Sequence, residues 1–365
     1  MKIVRILKFI AINIVVLAVL LVALNWSCSL YLKKTGKVDR ALLPNYAKDL
    51  DHAKAVFADY HRIKHRYEPF VGWKTLPYQG ETTHISADGL RTHQPETNAP
   101  DIQKVVRFFG GSTMWGEGSD DAHTIPALFN ALNPEYTVYN HGQLAYDTRQ
   151  ELDDLISTYS RNEKADLVIF YDGVNEAAFL CPKIIKELPA HRLVPLYQEK
   201  LFQGKLAMIK SLAVDIFVDD IMKVIQKTTY KPAPGSSPYD CISDPGKAEA
   251  IAEMMMKNWE MAYEIVTQRH GQFIAVLQPA AFIGKPRIDH LALDEELGNN
   301  FREIYRILSE KIAARNHPWI VDLSHKFDGD EYIFIDFCHV SPNGNEIIAR
   351  EISRAIKDSS GLRNF

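Results

Sequence analysis

An apolar run that ends in two glycines and a serine limits the fold of this chain more than any other feature. Residues 105–109 are rich in Val and Phe, a composition typical of a buried strand in a parallel sheet. Gly110 and Gly111 then permit a tight turn, which leaves Ser112 at the carboxyl end of that strand. Open α/β sheets bind their ligands at this edge. A serine here can also merely cap a turn or a helix, so its role depends on the rest of the chain.

From residue 105 onward, short apolar runs alternate with longer amphipathic stretches. Stretches such as residues 148–161 and 247–269 have helical spacing. The alternation predicts an α/β fold of three layers, in which helices cover both faces of a five-stranded parallel sheet. The predicted strands span residues 105–109, 137–140, 167–171, 273–278 and 320–323.

The chain divides by composition into an N-terminal anchor over residues 1–34, a helical connector with a β-hairpin over 35–100, and the α/β domain over 101–365. Aromatic residues of the hairpin, such as Trp73, can line a substrate groove, although packing in a core is their commoner use. The strand–helix alternation breaks at about residues 179–245, where Pro-rich ends flank helical stretches near 201–226. We expect this insertion to form a lid or a substrate wall at the carboxyl edge of the sheet.

Residues 9–32 are almost uninterrupted apolar sequence, about the length that crosses a bilayer as a helix. No small-x-small cleavage site follows them, which favours an uncleaved transmembrane anchor over a signal peptide. Basic residues stand on both sides of the span, and long following domains are translocated largely regardless of such charges. We therefore expect a single-pass protein of the inner (cytoplasmic) membrane, with the domain that follows on the periplasmic or extracytoplasmic side.

Charge and cysteine content limit the partners. The 365 residues carry a formal net charge of -4, with no basic patch of the kind that binds nucleic acid. The four cysteines have no spacing typical of a structural metal site. Cys181 and Cys241 flank the insertion, where either a disulfide or two buried thiols fits the sequence.

Three further blocks follow predicted strands or precede a helix, and together with Ser112 they carry a resemblance. They are Asn140-His-Gly142, Gly173-Val-Asn-Glu176 and Asp336-Phe-Cys-His339. In order and spacing, the four blocks resemble those of the SGNH, or GDSL, hydrolase family, over roughly residues 105–357. The resemblance implies the flavodoxin-like SGNH-hydrolase fold and a serine esterase without a metal or organic cofactor.

The resemblance also implies a role for each residue. Ser112 would be the nucleophile, His339 its base and Asp336 the carboxylate that orients the imidazole. The oxyanion donors would be the backbone N–H groups of Ser112 and Gly142 and the side-chain amide of Asn175.

The chain departs from the family pattern at two positions. Gly111 stands where the GDSL form has aspartate, and Glu176 stands where the third block usually has aspartate. Two other folds fit less well. The chain lacks both the Gly-x-Ser-x-Gly elbow of α/β-hydrolases and the lysine and glycine spacing of a phosphate-binding loop.

The substrate follows only from the resemblance. A membrane-anchored, exported body is similar to SGNH proteins that act on cell-envelope or exported polysaccharides, so we expect a carbohydrate ester, most often an acetyl ester. Transfer of the acyl group to a sugar hydroxyl uses the same acyl-enzyme and stays open, as does a lipid esterase or a thioesterase. The alternative of another class is a carbohydrate-binding protein that keeps the sheet without catalysis, which the intact Ser112, Asp336 and His339 argue against.

Overall fold

The computed structural model describes residues 2–34, 39–92, 104–189, 191, 221, 224 and 237–361. The chain forms two compact units, one of Met1–Asp39 with Gln198–Ser237 and one of Arg40–Tyr197 with Pro238–Phe365. In the first unit, α1 (Lys2–Lys34) contains the apolar stretch Val4–Tyr31, within which an 18-residue window has a mean hydropathy of 2.8. By length and composition, this helix can cross a membrane once.

The second unit begins with short elements that precede the sheet. They are 3-10 turns at Arg40–Leu42 and Pro44–Tyr46, α2 (Leu50–Tyr60), the antiparallel pair β1 (His65–Glu68) and β2 (Gly72–Thr75), and the pair β3 (Tyr78–Gln79) and β4 (His84–Ile85). Trp73 on β2 is buried against Tyr146, and its indole N–H donates to the carbonyl of Leu144 at 2.8 Å. Its aromatic ring therefore packs in a small core.

A five-stranded, all-parallel sheet organises this unit, so the predicted fold class is confirmed. Its order is β6-β5-β7-β8-β9, which is the flavodoxin-like order 2-1-3-4-5 when the five strands are counted along the chain. Each of the five strands overlaps its predicted range. The strands are β5 (Lys104–Gly110), β6 (Tyr136–Asn140), β7 (Leu167–Asp172), β8 (Gln272–Leu277) and β9 (Ile320–Asp322).

Helices cover both faces of the sheet. They are α3 (Ser112–Trp115), α4 (Ile125–Leu132), α5 (Thr148–Ser160), α6 (Val174–Leu180), α7 (Pro245–Thr267), α8 (Glu295–Arg315) and α9 (Pro342–Gly361). Alternate residues of one strand enter opposite cores: Phe170 of β7 joins one hydrophobic cluster, whereas Ile169 and Tyr171 join the other. This alternation is the pattern that burial on both faces requires.

The segment after α6 begins and ends at a disulfide. Cys181 and Cys241 are fully buried and bonded to each other, with Cα atoms 5.3 Å apart. The helical stretches predicted near residues 201–226 lie almost entirely outside the described residues. The predicted domain boundaries and the lid role of the insertion remain predictions.

Candidate active site

Ser112 lies at the point where the strand order reverses. It follows β5, and Asn175 lies just after β7, the neighbouring strand on the other side of β5 from β6. A crevice opens at such a switch point because the connections from the two neighbouring strands leave toward opposite faces of the sheet.

Both glycines before Ser112 are required by close contacts. A Cβ atom at Gly110 would lie 2.5 Å from the Cβ of Met114, and one at Gly111 would lie 2.2 Å from the Nδ2 atom of Asn175. The absence of a side chain at Gly111 therefore lets the Asn175 amide approach the backbone next to Ser112.

The last block reaches Ser112 through a tight loop before α9. Backbone hydrogen bonds from Ile335 N to His339 O (2.8 Å) and from Ser341 N to Ile333 O (2.9 Å) close this loop. One oxygen of Asp336 accepts the N–H groups of Cys338 and His339 at 2.9 and 2.8 Å. The three-residue spacing thus holds the carboxylate beside the imidazole ring.

The three side chains form one continuous hydrogen-bonded chain. The Oγ atom of Ser112 lies 2.7 Å from Nε2 of His339, and Nδ1 of His339 lies 2.7 Å from Oδ2 of Asp336. Ser112 and His339 are buried, whereas Asp336 is about a quarter exposed. This geometry is that of a hydroxyl facing a base whose second nitrogen is held by a carboxylate.

At this site, neighbouring charges and hydrogen bonds shift the pKa values of Asp336 and His339 in the direction opposite to burial. Burial raises the pKa of Asp336, but the His339 charge and the hydrogen bonds to the carboxylate outweigh it and lower the pKa below the usual range. Burial lowers the pKa of His339, but the charges of Asp336 and Glu117 and the hydrogen bond to Asp336 raise it well above the usual value. Asp336 is therefore ionised, and the imidazole binds a proton tightly.

The structure shows what the predicted oxyanion donors contact. Ser112 is the first residue of α3, a position at which the N–H group has no partner within the helix. Asn175 donates one amide hydrogen to the carbonyl of Tyr146, which leaves its second amide hydrogen for another acceptor. The N–H of Gly142 donates to Oδ1 of Asn140 at 2.9 Å, so its predicted role requires that this bond be shared or given up.

Glu176 supports the loop that carries Asn175. Its carboxylate accepts the N–H of Gly173 at 3.2 Å and the N–H of Thr148 at 2.8 Å. One side chain thus ties the start of α6 to the start of α5. The longer glutamate, where the family pattern has aspartate, makes both contacts.

Sequence reasoning missed Glu117 and Arg40. The Oε2 atom of Glu117 lies 3.1 Å from Nε2 of His339. Arg40 contacts Oε1 of Glu117 at 2.6 Å and Oδ2 of Asp336 at 2.9 Å. The Gly-Glu-Gly sequence soon after Ser112 was a signal for Glu117, since a charge between two glycines marks a specific turn. Nothing local marks Arg40, which is 296 residues from Asp336 in the chain.

The donor set around His339 does not fit a metal site. Of the described residues, Asp336, Cys338 and His339 offer ligand atoms within 4.8 Å of one another. The Sγ atom of Cys338 lies 3.5 Å from Nδ1 of His339, on the side where Asp336 already holds the ring. The imidazole nitrogens are engaged by Asp336 on one side and by Ser112 and Glu117 on the other.

No protein-family model and no curated protein match the sequence. Among solved structures, the chain matches a lipolytic protein of the G-D-S-L family from Veillonella parvula DSM 2008, with 12% identity, a TM-score of 0.39 and coverage of 69% of this chain and 97% of that one. It matches a protein assigned to the same family from Desulfitobacterium hafniense DCB-2, with 14% identity, a TM-score of 0.37 and coverage of 69% and 99%.

A third match is a protein assigned as an arylesterase from Agrobacterium tumefaciens str. C58. Its identity is 16%, its TM-score is 0.35, and the match covers 70% of this chain and 99% of that one. Likeness at this level carries no assignment of function, which has to rest on the geometry of the site.

Proposed function

We propose that this chain is a membrane-anchored serine esterase of the SGNH type, which removes acyl groups, foremost acetyl, from a cell-envelope or exported carbohydrate. The observation that carries the proposal is the continuous contact from Ser112 through His339 to Asp336, with both distances at 2.7 Å. An unactivated serine hydroxyl is a poor nucleophile at neutral pH, and this arrangement supplies the adjacent base that it needs.

The reaction follows from the positions of these groups. Nε2 of His339 takes the proton of Ser112 as Oγ attacks the carbonyl carbon of the ester, and the carbonyl oxygen becomes an oxyanion. The amide of Asn175 and the N–H of Ser112 stabilise that charge. The intermediate collapses when the imidazolium gives its proton to the leaving sugar oxygen, and an acyl-serine remains.

Water completes the cycle. His339 removes a proton from the water as its oxygen attacks the acyl carbon, and it then returns that proton to Ser112 as the carboxylic acid leaves. If a sugar hydroxyl replaces the water, the same steps transfer the acyl group instead of hydrolysing the ester. Asp336 stays ionised throughout and stabilises the imidazolium in both halves.

A direct test uses the full chain in detergent with p-nitrophenyl esters of increasing chain length. We expect hydrolysis to be fastest with the acetyl ester and to be lost in Ser112→Ala. Thr113→Ser is the matched control, since it alters the neighbouring hydroxyl, which donates to Gln278 at 2.8 Å and not to His339. Activity that persists in Ser112→Ala, or that is absent with every ester, contradicts the proposal.

The extracytoplasmic location has separate support. The apolar helix α1 is long enough to cross a bilayer, and disulfides such as Cys181–Cys241 persist mainly in oxidising compartments. An alkaline phosphatase fused after Phe365 is expected to be active, because its own disulfides form only outside the cytoplasm. An inactive fusion, beside a fluorescent cytosolic reporter at the same position, would place Ser112 inside the cell and remove the exported carbohydrate as substrate.

A further inference from the structure

The imidazole of His339 is held between two carboxylates. Asp336 contacts Nδ1 at 2.7 Å, and Glu117 contacts Nε2 at 3.1 Å. The same Nε2 atom faces Ser112 at 2.7 Å. The Ser-His-Asp chemistry explains Asp336 and Ser112, but it gives no role to a second carboxylate at the nitrogen that exchanges the proton.

The backbone fixes the position of Glu117. Gly116 and Gly118, on either side of it, have φ angles of 97° and 89°, a region that side chains other than glycine rarely adopt. The N–H groups of Gly116 and Glu117 both donate to the carbonyl of Ser112 at 3.0 Å. The loop therefore folds back over the nucleophile and turns the carboxylate toward His339.

Glu117 is also held from the other side. Its side chain is 5% exposed, and Arg40 contacts Oε1 at 2.6 Å. Burial and the nearby Glu117 carboxylate raise the pKa of the Tyr60 hydroxyl, and the Arg40 guanidinium lies 5.6 Å from the centre of the Tyr60 ring. A buried carboxylate with these partners stays ionised: burial raises its pKa, but His339 and Arg40 lower it below the usual value.

Arg40, Glu117, Asp336 and His339 form a charged quartet. With a neutral imidazole, the two carboxylates outnumber the guanidinium and the net charge is -1. When His339 binds a proton, the charges sum to zero. An uncompensated charge is costly where water is largely excluded, so the quartet favours the protonated imidazole.

We propose that Glu117 is a positioning residue that accepts the Nε2–H of His339 in its cationic form, so that it stabilises the imidazolium that arises when the neutral imidazole takes the proton of Ser112. This inference rests on the proposed function. The elevated pKa of His339 supports it. The other groups that face this cluster are Cys338 on the same loop and Tyr46 and Tyr60 from the segment before the sheet.

The inference predicts opposite shifts in two variants. Glu117→Gln removes a negative charge and lowers the pH at which His339 loses its proton, by about 1–3 pH units, the range for an opposite charge at this distance. Arg40→Gln leaves both carboxylates without their cation and raises that pH. A variant that only damages the fold lowers activity at every pH and moves the midpoint in neither direction.

Two measurements on the full chain in detergent decide the matter. The first is the pH profile of kcat/KM for p-nitrophenyl acetate. The second is the NMR titration of ¹³C-labelled histidine, in which His339→Ala identifies the signal of His339. Glu264→Gln, which removes an exposed carboxylate on α7, is the control for charge change and is expected to shift neither midpoint.

The outcomes separate this inference from the proposed function. Opposite shifts of the NMR midpoint in Glu117→Gln and Arg40→Gln support it, even if no ester is hydrolysed, in which case only the proposed function fails. An NMR midpoint equal to that of the wild type in Glu117→Gln overturns it. If Glu117→Gln does not fold, Arg40→Gln decides alone: a higher midpoint supports the inference, and an unchanged or lower one overturns it.

Discussion

Two groups of buried or partly buried carboxylates in this chain differ in their access to cations. In the charged quartet, Asp336 and Glu117 face Arg40 and His339, and both carboxyl groups have a lowered pKa despite burial. The second group, which we call the carboxylate cluster, lies among α5, β7 and α6. It consists of Asp147, Glu151, Asp172 and Glu176.

None of the ion pairs among the described residues involves the carboxylate cluster. Burial, with the charge of Glu176, raises the pKa of Asp147 to about 7 and that of Asp172 well above its usual value. Burial, together with Asp172, raises the pKa of Glu151 well above the usual range as well. Nearby cations, more than depth, set the direction of the pKa shift: it is downward for the carboxylates of the quartet and upward for those of the cluster.

The largest expected effect comes from neutralising the quartet at Asp336. Asp336→Asn removes the charge that stabilises the imidazolium and allows the wrong tautomer, so we expect kcat to fall on the order of 10⁴-fold. Steady-state hydrolysis of p-nitrophenyl acetate measures the fall. Asp322→Asn, at the exposed end of β9, is the control. A loss below tenfold would mean that Asp336 does not act through His339.

Asn175 has a neighbour on each side of this comparison. It precedes Glu176 of the carboxylate cluster in the chain, and its side-chain amide lies beside the backbone of Gly111, the residue before Ser112. Asn175→Ala should lower kcat by about 10²–10³-fold through loss of an oxyanion donor. A fluorophosphonate probe should still label Ser112, since the nucleophile and base remain. Complete loss of labelling would indicate that the substitution disturbs the carboxylate cluster and the fold rather than the oxyanion alone.

A third effect is expected on stability and not on rate, in the carboxylate cluster. Folded Asp147 keeps its proton up to about pH 7, whereas the unfolded side chain loses it near the ordinary value of 3.8. Between these values the folded state binds more protons, so stability falls as pH rises, by up to about 1.4 kcal/mol per pH unit.

Asp147→Asn should reduce this loss of stability with pH, because asparagine does not titrate. The N-cap of α5 should be kept, since asparagine is an equally good N-cap. Urea unfolding of the wild type and the variant at pH 4.5 and pH 7.5 measures the difference in stability. Each pH lies within roughly one unit of the unfolded or the folded pKa of Asp147. Asp49→Asn, at the exposed N-cap of α2, is the matched control. An equal fall in wild type and Asp147→Asn would show that Asp147 does not titrate in this window.

The sequence predicted the parts that depend on local pattern. The strands follow from apolar runs, and the pairing of Ser112 with the Asp336–His339 block was expected from the resemblance to the SGNH pattern. Whether Ser112, Asp336, His339, Gly142 and Asn175 act as predicted awaits the experiments above. The glycines that flank Glu117 indicate a turn but not which group its carboxylate contacts, and no periodicity of the sequence reports its pairing with the distant Arg40.

The sequence did not reveal the carboxylate cluster, because acidic residues with helical spacing indicate an exposed face. Asp147, Glu151 and Asp154 are spaced by four and three residues, which puts them on one side of α5. Charged residues on one side of a helix normally indicate the solvated face, yet all three are buried here. Asp154 pairs with the Lys74 ammonium at 3.6 Å and hydrogen-bonds His141 at 3.0 Å, contacts that only the tertiary structure reveals.

The bond between Cys181 and Cys241 makes the intervening chain a covalently closed ring. A protease that cuts once inside this ring leaves both fragments attached, so the cleaved protein keeps its mass until a reductant is added. Gel mobility with and without a thiol reagent would therefore report whether a cut lies inside or outside the ring. The two parts of the sheet that flank the insertion, β7 before it and β8 after it, would stay linked through such a cut.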